Sequence, residues 1–423
     1  MSILMRLWKT KQIRMNILYV LGMLVLFRVA AHVPIPGADA SAIRSLFDGG
    51  NSFFGLLNIF SGGTLQNFSV VALGVAPYIT SSIIFQLLAM IVPAMDEMQK
   101  EESGRQKISQ YTRFATVPLA ALQGYALITL LNQQTGGQIF TDPSFWTYFI
   151  SVLSMTAGTV FLMWVGELIT EKGIGNGISI LILAGIIAGF PTFMQQMFVV
   201  YDASMLVTLI LFILFVVLTI VAIVVMNEAM RIIPVRYARQ VRGSRLTGSV
   251  NSHIPLKLNM GGVIPIIFAI SILLFPSMIA QFFVNANTEI LQNAANWVLM
   301  LFQNQLFYGL FYFFLVFVFT YFYTAVIFHP DKMAENLQRS GGFIPGIRPG
   351  ANTAEYLGDV ANRLLLTGAT FLSLVAVLPV IVQQFTGSAN MIIGGTSILI
   401  IVAVVIDSVK QVESQLMMYE YEI

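Results

Sequence analysis

The chain has 423 residues, of which 57% are hydrophobic and only 10% charged, and its mean hydropathy is +0.80. A soluble globular chain carries about 25% charged residues, so this composition is that of a polytopic membrane protein. Cysteine is absent, which excludes disulfides, thiol catalysis and thiolate metal sites. His253 and His329 fall outside the apolar runs and His32 stands at the very end of the first, so neither a buried zinc nor a haem site is expected.

Apolar windows long enough to cross a bilayer fall near 15–33, 70–92, 113–132, 146–169, 177–194, 205–227, 261–284, 304–328, 363–385 and 392–409, ten in all. The fifth is thinned by Gly185, Gly189 and Pro191. The first follows MSILMRLWKTKQIRMN and is succeeded by HVPIPG rather than a small-residue cleavage site, so it is read as a retained helix. Between the first and second windows stands FFGLLNIFSGGTLQNF, 53–68, apolar at its start but interrupted by Gly62, Gly63, Thr64, Gln66 and Asn67 before it is long enough to span. Such a half-element must bury its free backbone groups in protein or line an aqueous cavity, because lipid cannot satisfy them. Gly74 and Pro77 are expected to bend the second span near one end.

Charge placement orients these spans. The N-terminal segment and every second connection hold four (Arg6, Lys9, Lys11, Arg14), four (Lys100, Arg105, Lys107, Arg113), one (Lys172), six (Arg231, Arg236, Arg239, Arg242, Arg245, Lys257), four (Lys332, Arg339, Arg348, Arg363) and one (Lys410) basic residues. The intervening connections hold only Arg44, and Arg28 lies in the first span. This asymmetry places both termini and the basic loops in the cytoplasm. Ten spans divide into five plus five, an N-terminal half over 1–194 and a C-terminal half over 195–423. An odd number per half gives them opposite orientations, as in transport proteins built from inverted repeats.

The charged residues near span ends, Arg28, Glu167, Glu228 and Asp407, can reach the interface, and plain structural roles are the better reading of each. No span carries the central Asp, Glu or Lys of an ion-coupled pump, and no Ser/His/Asp set, HExxH or paired aspartates stand at membrane depth. No catalytic residue and no cofactor or metal ligand is therefore assigned. GIGNGIS at 173–179 lacks the lysine and the preceding strand of a phosphate loop and reads as a tight turn. Two cytoplasmic connections are long. That over 229–258 alternates polar and apolar residues in the manner of a projecting hairpin. That over 328–362 mixes Gly and Pro with Phe343, Ile344 and Ile347, a composition suited to docking a protein or RNA partner.

Eight motifs spread over the whole chain then carry a resemblance: HVPIPG at 32–37, LNIFSGGTLQNFSVVALGVAPYITSSII at 57–84, ESGRQKISQYTRF at 102–114, FLMWVGELITEKGIGNGISI at 161–180, HIPLKLNMGGVIP at 253–265, FYTAVIFHP at 322–330, SGGFIPGIRPG at 340–350 and GGTSILI at 394–400. The chain resembles the SecY/Sec61-alpha family, the pore-forming subunit of the protein-conducting channel. The resemblance implies an all-α fold of ten transmembrane helices in two inverted halves around an hourglass pore, with a re-entrant plug and a sideways opening to lipid. The plug corresponds to about 53–67, with Leu57, Ile59, Phe60, Ser61, Gly62 and Gly63. A pore ring of branched aliphatic side chains falls on Val75, Ile79, Ile182, Ile267 and Ile400, with Ile178 a near neighbour. Such groups dewet a constriction without retaining a passing polypeptide. By spacing alone, Val75/Ile79 and Ile178/Ile182 are ordinary i,i+4 pairs. The lateral gate falls on Thr80, Gln123 and Asn259, and the partner-docking residues on Arg348, Arg242, Arg245 and Arg105. The implied partners are the small subunits SecE and SecG, the motor ATPase SecA, the ribosome, signal sequences, unfolded preproteins and lipid. The implied setting is a prokaryotic plasma membrane, and the chain is expected to be a conduit and not an enzyme.

Three features depart from the family pattern. Val75 stands where Ile is usual, Pro234 interrupts the loop after the sixth span, and YEYEI ends the sequence without a basic tail. Two other functions compete on sequence grounds: a secondary transporter of a small solute, which predicts a polar pocket at mid-depth, and an insertase or scaffold without a continuous pore, for which a plug would be superfluous.

Overall fold

A computed structural model describes residues 10–38, 61, 64–135, 139–140, 144–199, 206–237, 241–242, 245–246, 251–284, 288–386 and 395–421. The plug assignments Leu57, Ile59, Phe60, Gly62 and Gly63 lie outside the described residues; Ser61 lies within them.

Each of the ten apolar windows is occupied by a helix: α1 (Lys11–Ala30), α2 (Ala76–Ile91), α4 (Glu102–Gln134), α5 (Phe145–Glu171), α6 (Gly177–Val199), α7 (Leu206–Glu228), α8 (Ile264–Phe283), α10 (Gln305–Ile327), α12 (Ala351–Thr386) and α13 (Gly395–Tyr421). Three shorter helices intervene, α3 (Pro93–Lys100), α9 (Glu289–Gln303) and α11 (Pro330–Arg339). Their surfaces are those of lipid-facing helices. Leu306, Leu310, Phe314 and Val318 form an exposed i,i+4 stripe on α10, and Ile210, Ile213, Leu214, Val217, Leu218 and Val221 are exposed on α7. One large apolar cluster joins both halves, drawing buried residues from α1, α2, α5, α6, α7, α8, α10, α12 and α13. A second, smaller one packs Phe68, Leu73, Ile128, Leu131 and Met155 in the outer part of the N-terminal half.

The structure corrects the expected boundaries of several elements. Residues 70–75 form turns, and α2 begins only at Ala76. Gly74 adopts φ +58°, closed to most side chains, and Pro77 in the first turn suits a helix start because its missing N–H has no partner to lose there. The helix then turns by 110° at Val92–Pro93 into α3. α4 and α12 extend beyond the apolar windows into the cytoplasm, starting at 102 and 351 rather than 113 and 363. α9 was not anticipated at all.

The long cytoplasmic connections fold into one unit. As the alternation suggested, β1 (Met230–Tyr237) pairs antiparallel with β4 (Asn251–Lys257), Ile233 opposite Ile254 and Arg236 opposite Asn251. Within the hairpin, β2 (Val241–Arg242) pairs with β3 (Arg245–Leu246). The segment 328–362 is structured: α11 leads into β5 (Gly342–Phe343), which adds to the free edge of β1. Ile233, Val235, Leu256, Leu337, Ile344 and Leu357 form the core of this unit, which explains why the loop carries apolar residues.

Candidate functional site

The six aliphatic positions come from both halves. Val75 immediately precedes α2, Ile79 lies on its first turn, Ile178 and Ile182 lie one turn apart on α6, Ile267 on α8 and Ile400 on α13. All but Ile178 are buried members of the large apolar cluster, and Ile178 packs against it.

Local chemistry brings them inward. Asn176 starts α6, its Oδ1 accepting from the backbone N–H groups of Ile178 at 3.1 Å and Ser179 at 3.2 Å. The α5–α6 corner closes because Gly166 and Gly177 face each other: a Cβ on Gly166 would meet Ile178 Cδ1 at 2.6 Å, and one on Gly177 would overlap the Gly166 carbonyl oxygen. On the opposite wall, Gly262 at φ +61° turns the chain into α8, and Pro265 in its first turn starts the helix that presents Ile267.

Two cavities border members of this set. The inner one, of about 480 Å³, opens toward the cytoplasm and is walled by Tyr78, Ser82, Gln86, Arg113, Glu167 and Asn176, with Ile79, Ile178 and Ile267 among its lining. The outer one, of about 50 Å³, is bounded by Ser61, Leu65, Thr80, Gln123, Ile270 and Ser271, with Ile79 again among its lining. Ile79 thus borders both cavities.

Sequence reasoning missed the charges of the inner wall. Arg113 Nε donates to Glu167 Oε1 at 2.6 Å, joining α4 to α5. Each residue looked like an interfacial anchor at a helix end; the signal available was that the two ends carry opposite charge and that antiparallel neighbours bring them together. Glu228 similarly pairs with Lys410 at 2.7 Å.

The seam where α8 contacts α2 and α4 contains two of the three positions that the sequence resemblance suggests for a gate. Gln123 Nε2 donates to Thr80 Oγ1 at 3.4 Å, and Thr80 donates in turn to the Ala76 carbonyl at 3.0 Å. Nearby, Ser81 donates to the Thr112 carbonyl at 2.8 Å, tying α2 to α4. Asn259 is placed apart from this pair, in the approach to α8, where its Nδ2 donates to Asn227 Oδ1 at 2.7 Å and to the Gly262 carbonyl at 3.2 Å. α8 brings Ile270, Ser271 and Met278 to the Thr80–Gln123 cavity, Ser271 being the polar one. Ser61, expected in the plug, is held by Thr64, whose hydroxyl lies 2.7 Å from the Ser61 carbonyl and 2.9 Å from that of Val71, and by its own Oγ, which accepts from Leu65 N–H at 3.1 Å.

On the cytoplasmic face Arg348 and Arg105 are exposed. The loop bearing Arg348 is fixed, because Thr353 Oγ1 donates to the Arg348 carbonyl at 2.9 Å. Arg242 and Arg245 are directly opposite in the β2–β3 hairpin.

Known proteins share this architecture. A family model described as SecY matches residues 69–409. The protein translocase subunit SecY of Streptomyces coelicolor is 41% identical over 99% of this chain and 98% of its own length. That of Escherichia coli K12 is 41% identical over 97% of this chain and 93% of its own. Among solved structures, a protein-conducting channel superposes with a TM-score of 0.63 at 16% identity, covering 94% of this chain and 91% of its own. A SecY protein whose plug domain is described as stabilising the closed translocation channel superposes with a TM-score of 0.64 at 17% identity and the same coverage. With the family model spanning most of the sequence and full-length relatives well above 30% identity, the chain belongs to the SecY family.

Proposed function

We propose that the collar of Val75, Ile79, Ile178, Ile182, Ile267 and Ile400 is the constriction of a Sec-type protein-conducting channel, through which unfolded preproteins leave the cytoplasm. The observation that carries this is the position of Ile79, which borders a polar cytoplasmic cavity on one side and a small outer cavity on the other. Branched aliphatic groups at such a point exclude ions by dewetting, and they offer a translocating chain no hydrogen bond that would hold it. The protein supplies a path and a seal and performs no catalysis.

The seam between α8 and the α2–α4 pair serves as the lateral gate for apolar segments, with Thr80 and Gln123 hydrogen-bonded to each other within the α2–α4 wall. Asn259 supports the gate from outside the seam, by fixing the entry of α8 against α7. The segment 53–67 serves as the plug, and Ser61 at the outer cavity is consistent with that placement. The walls that move apart are the halves 1–194 and 195–423. SecA and the ribosome dock on the folded cytoplasmic unit through Arg348, Arg242 and Arg245, with Arg105 contributing from the neighbouring connection, and SecE and SecG complete the membrane complex.

Single cysteines at Ile79 and Ile267 test the central claim against a clean background, since the chain has no cysteine of its own. A stalled secretory chain carrying one cysteine is expected to crosslink to both positions and not to Leu310→Cys on the lipid-facing stripe of α10. Failure at both, in correctly inserted protein, overturns the assignment and makes small-solute uptake the next assay.

A further inference from the structure

We infer that α9 lies flat in the outer lipid–water interface, its apolar stripe covered by neutral lipid and not by protein. The helix joins the outer ends of α8 and α10, and it contacts both. Ala295 is buried against these neighbours, whereas Ile290 and Trp297 are 78% and 64% exposed. At 100° per residue, Ile290, Ala294, Trp297 and Leu301 share one narrow stripe, while Gln292 and Asn296 occupy the opposite face, which Met300 alone interrupts with an exposed apolar group.

Lipid is identified as the occupant by continuity and by charge. Only Asn304 separates α9 from α10, whose lipid-facing stripe starts at Leu306, and Phe302 packs edge-on against Phe307 and Phe311 at 5.7 and 5.8 Å, joining the two helices into one surface. A Trp at this level is the side chain whose apolar body and N–H suit the interface. The helix has no Lys or Arg, and its one charge is Glu289, so attraction to anionic headgroups has no source and burial of the stripe must supply the affinity. The outer end of α8, the gate helix of the proposed channel, is thereby tethered to the membrane surface.

The test uses the full chain in lipid nanodiscs with Trp8→Phe, Trp146→Phe and Trp164→Phe, leaving Trp297 as the sole indole. With phosphatidylcholine brominated near the carbonyl end of its acyl chains, Trp297 is expected to lose most of its emission, with less loss for deeper bromines and no change on adding salt. Emission quenched by aqueous iodide and untouched by bromolipid would place the helix in water and overturn the inference. Protection from both quenchers would show a protein partner or a second copy on the stripe and overturn it equally. Should the triple variant fold poorly, spin labels on Ile290→Cys and Gln292→Cys in the otherwise native chain give the same reading. The first should be accessible to oxygen and the second to an aqueous nickel complex; equal accessibility at the two sites rejects the interfacial position.

Discussion

The two cavities that meet at Ile79 are built from different chemistry. The inner one is several times larger and lined by hydroxyls, amides and the Arg113–Glu167 pair, a lining suited to water; the outer one is small and bounded largely by apolar side chains. In the proposed channel an unfolded chain would be admitted hydrated on the cytoplasmic side and would lose its water only at the collar. Wetting and sealing are assigned to separate layers. The layers also differ in what holds them together: backbone closeness and aliphatic packing at the collar, polar pairs elsewhere.

The sharpest way to break that difference is to attack the corner supporting Ile178 and Ile182. Gly177→Ala forces a Cβ onto the backbone oxygen of Gly166, and neither backbone can yield without parting α5 from α6. Overpacking against a movable side chain costs about 1–3 kcal/mol, and against backbone the loss should reach at least about 3 kcal/mol. Thermal unfolding in detergent should show a large fall in Tm for Gly177→Ala and almost none for Gly189→Ala on the same helix, where a Cβ meets open space. A stable Gly177→Ala protein would mean that the α5–α6 corner is not a rigid support.

Next in size is Ile267→Ala. The residue is buried in the collar but borders the inner cavity, so the loss should sit near the low end for such truncations, about 2 kcal/mol. Its larger consequence is electrical: thinning the apolar layer should raise ion leak through the closed channel in planar bilayers. Ile270→Ala, buried one turn away on the same helix, is expected to cost similar stability with far less leak. Equal leak from both would remove the distinction between collar and surroundings.

The gate pair is smaller again. Gln123→Leu and Thr80→Val each remove one end of a 3.4 Å hydrogen bond, and such bonds between membrane helices contribute about 0.6 kcal/mol. A double-mutant cycle on stability should give a coupling near that value, while Asn259→Leu, bonded instead to Asn227, should be additive with both. Strong coupling of Asn259 to Gln123 would draw it into the seam.

How legible each layer was in the sequence follows from the same physics. The ten spans and their orientation could be read because hydropathy and Lys/Arg bias act locally and summed along the chain. The α9 helix could not be read that way, being too short and too polar to span; only the recurrence of Ile290, Ala294, Trp297 and Leu301 on one stripe betrays it. Apolar length alone put the start of α2 at Val70, whereas Gly74 and Pro77 delay it to Ala76. Spacing does not single out the proposed collar, because isoleucines four residues apart are common in spans this rich in them, and its assignment rests on the family resemblance. The Arg113–Glu167 pair depends on antiparallel packing of α4 and α5, which no single span displays.

That pair supplies the smallest effect on stability and the clearest test of the wet layer. Arg113 is about half exposed, at 47%, and Glu167 is 26% exposed, so water screens much of their attraction and Glu167→Gln should cost under about 1 kcal/mol. Removing the carboxylate nevertheless leaves the Arg113 guanidinium uncompensated in the wall of the inner cavity, which Ile178 and Ile267 also line. Through a channel held open by a trapped preprotein, the reversal potential in a salt gradient should then shift toward anion preference, and Arg113→Gln should shift it toward cations. The double variant Arg113→Gln/Glu167→Gln should return near the native value, because the cavity loses one charge of each sign. An unchanged reversal potential in both single variants would mean that permeating ions do not pass this wall, and the inner cavity would no longer stand as the entrance to the collar.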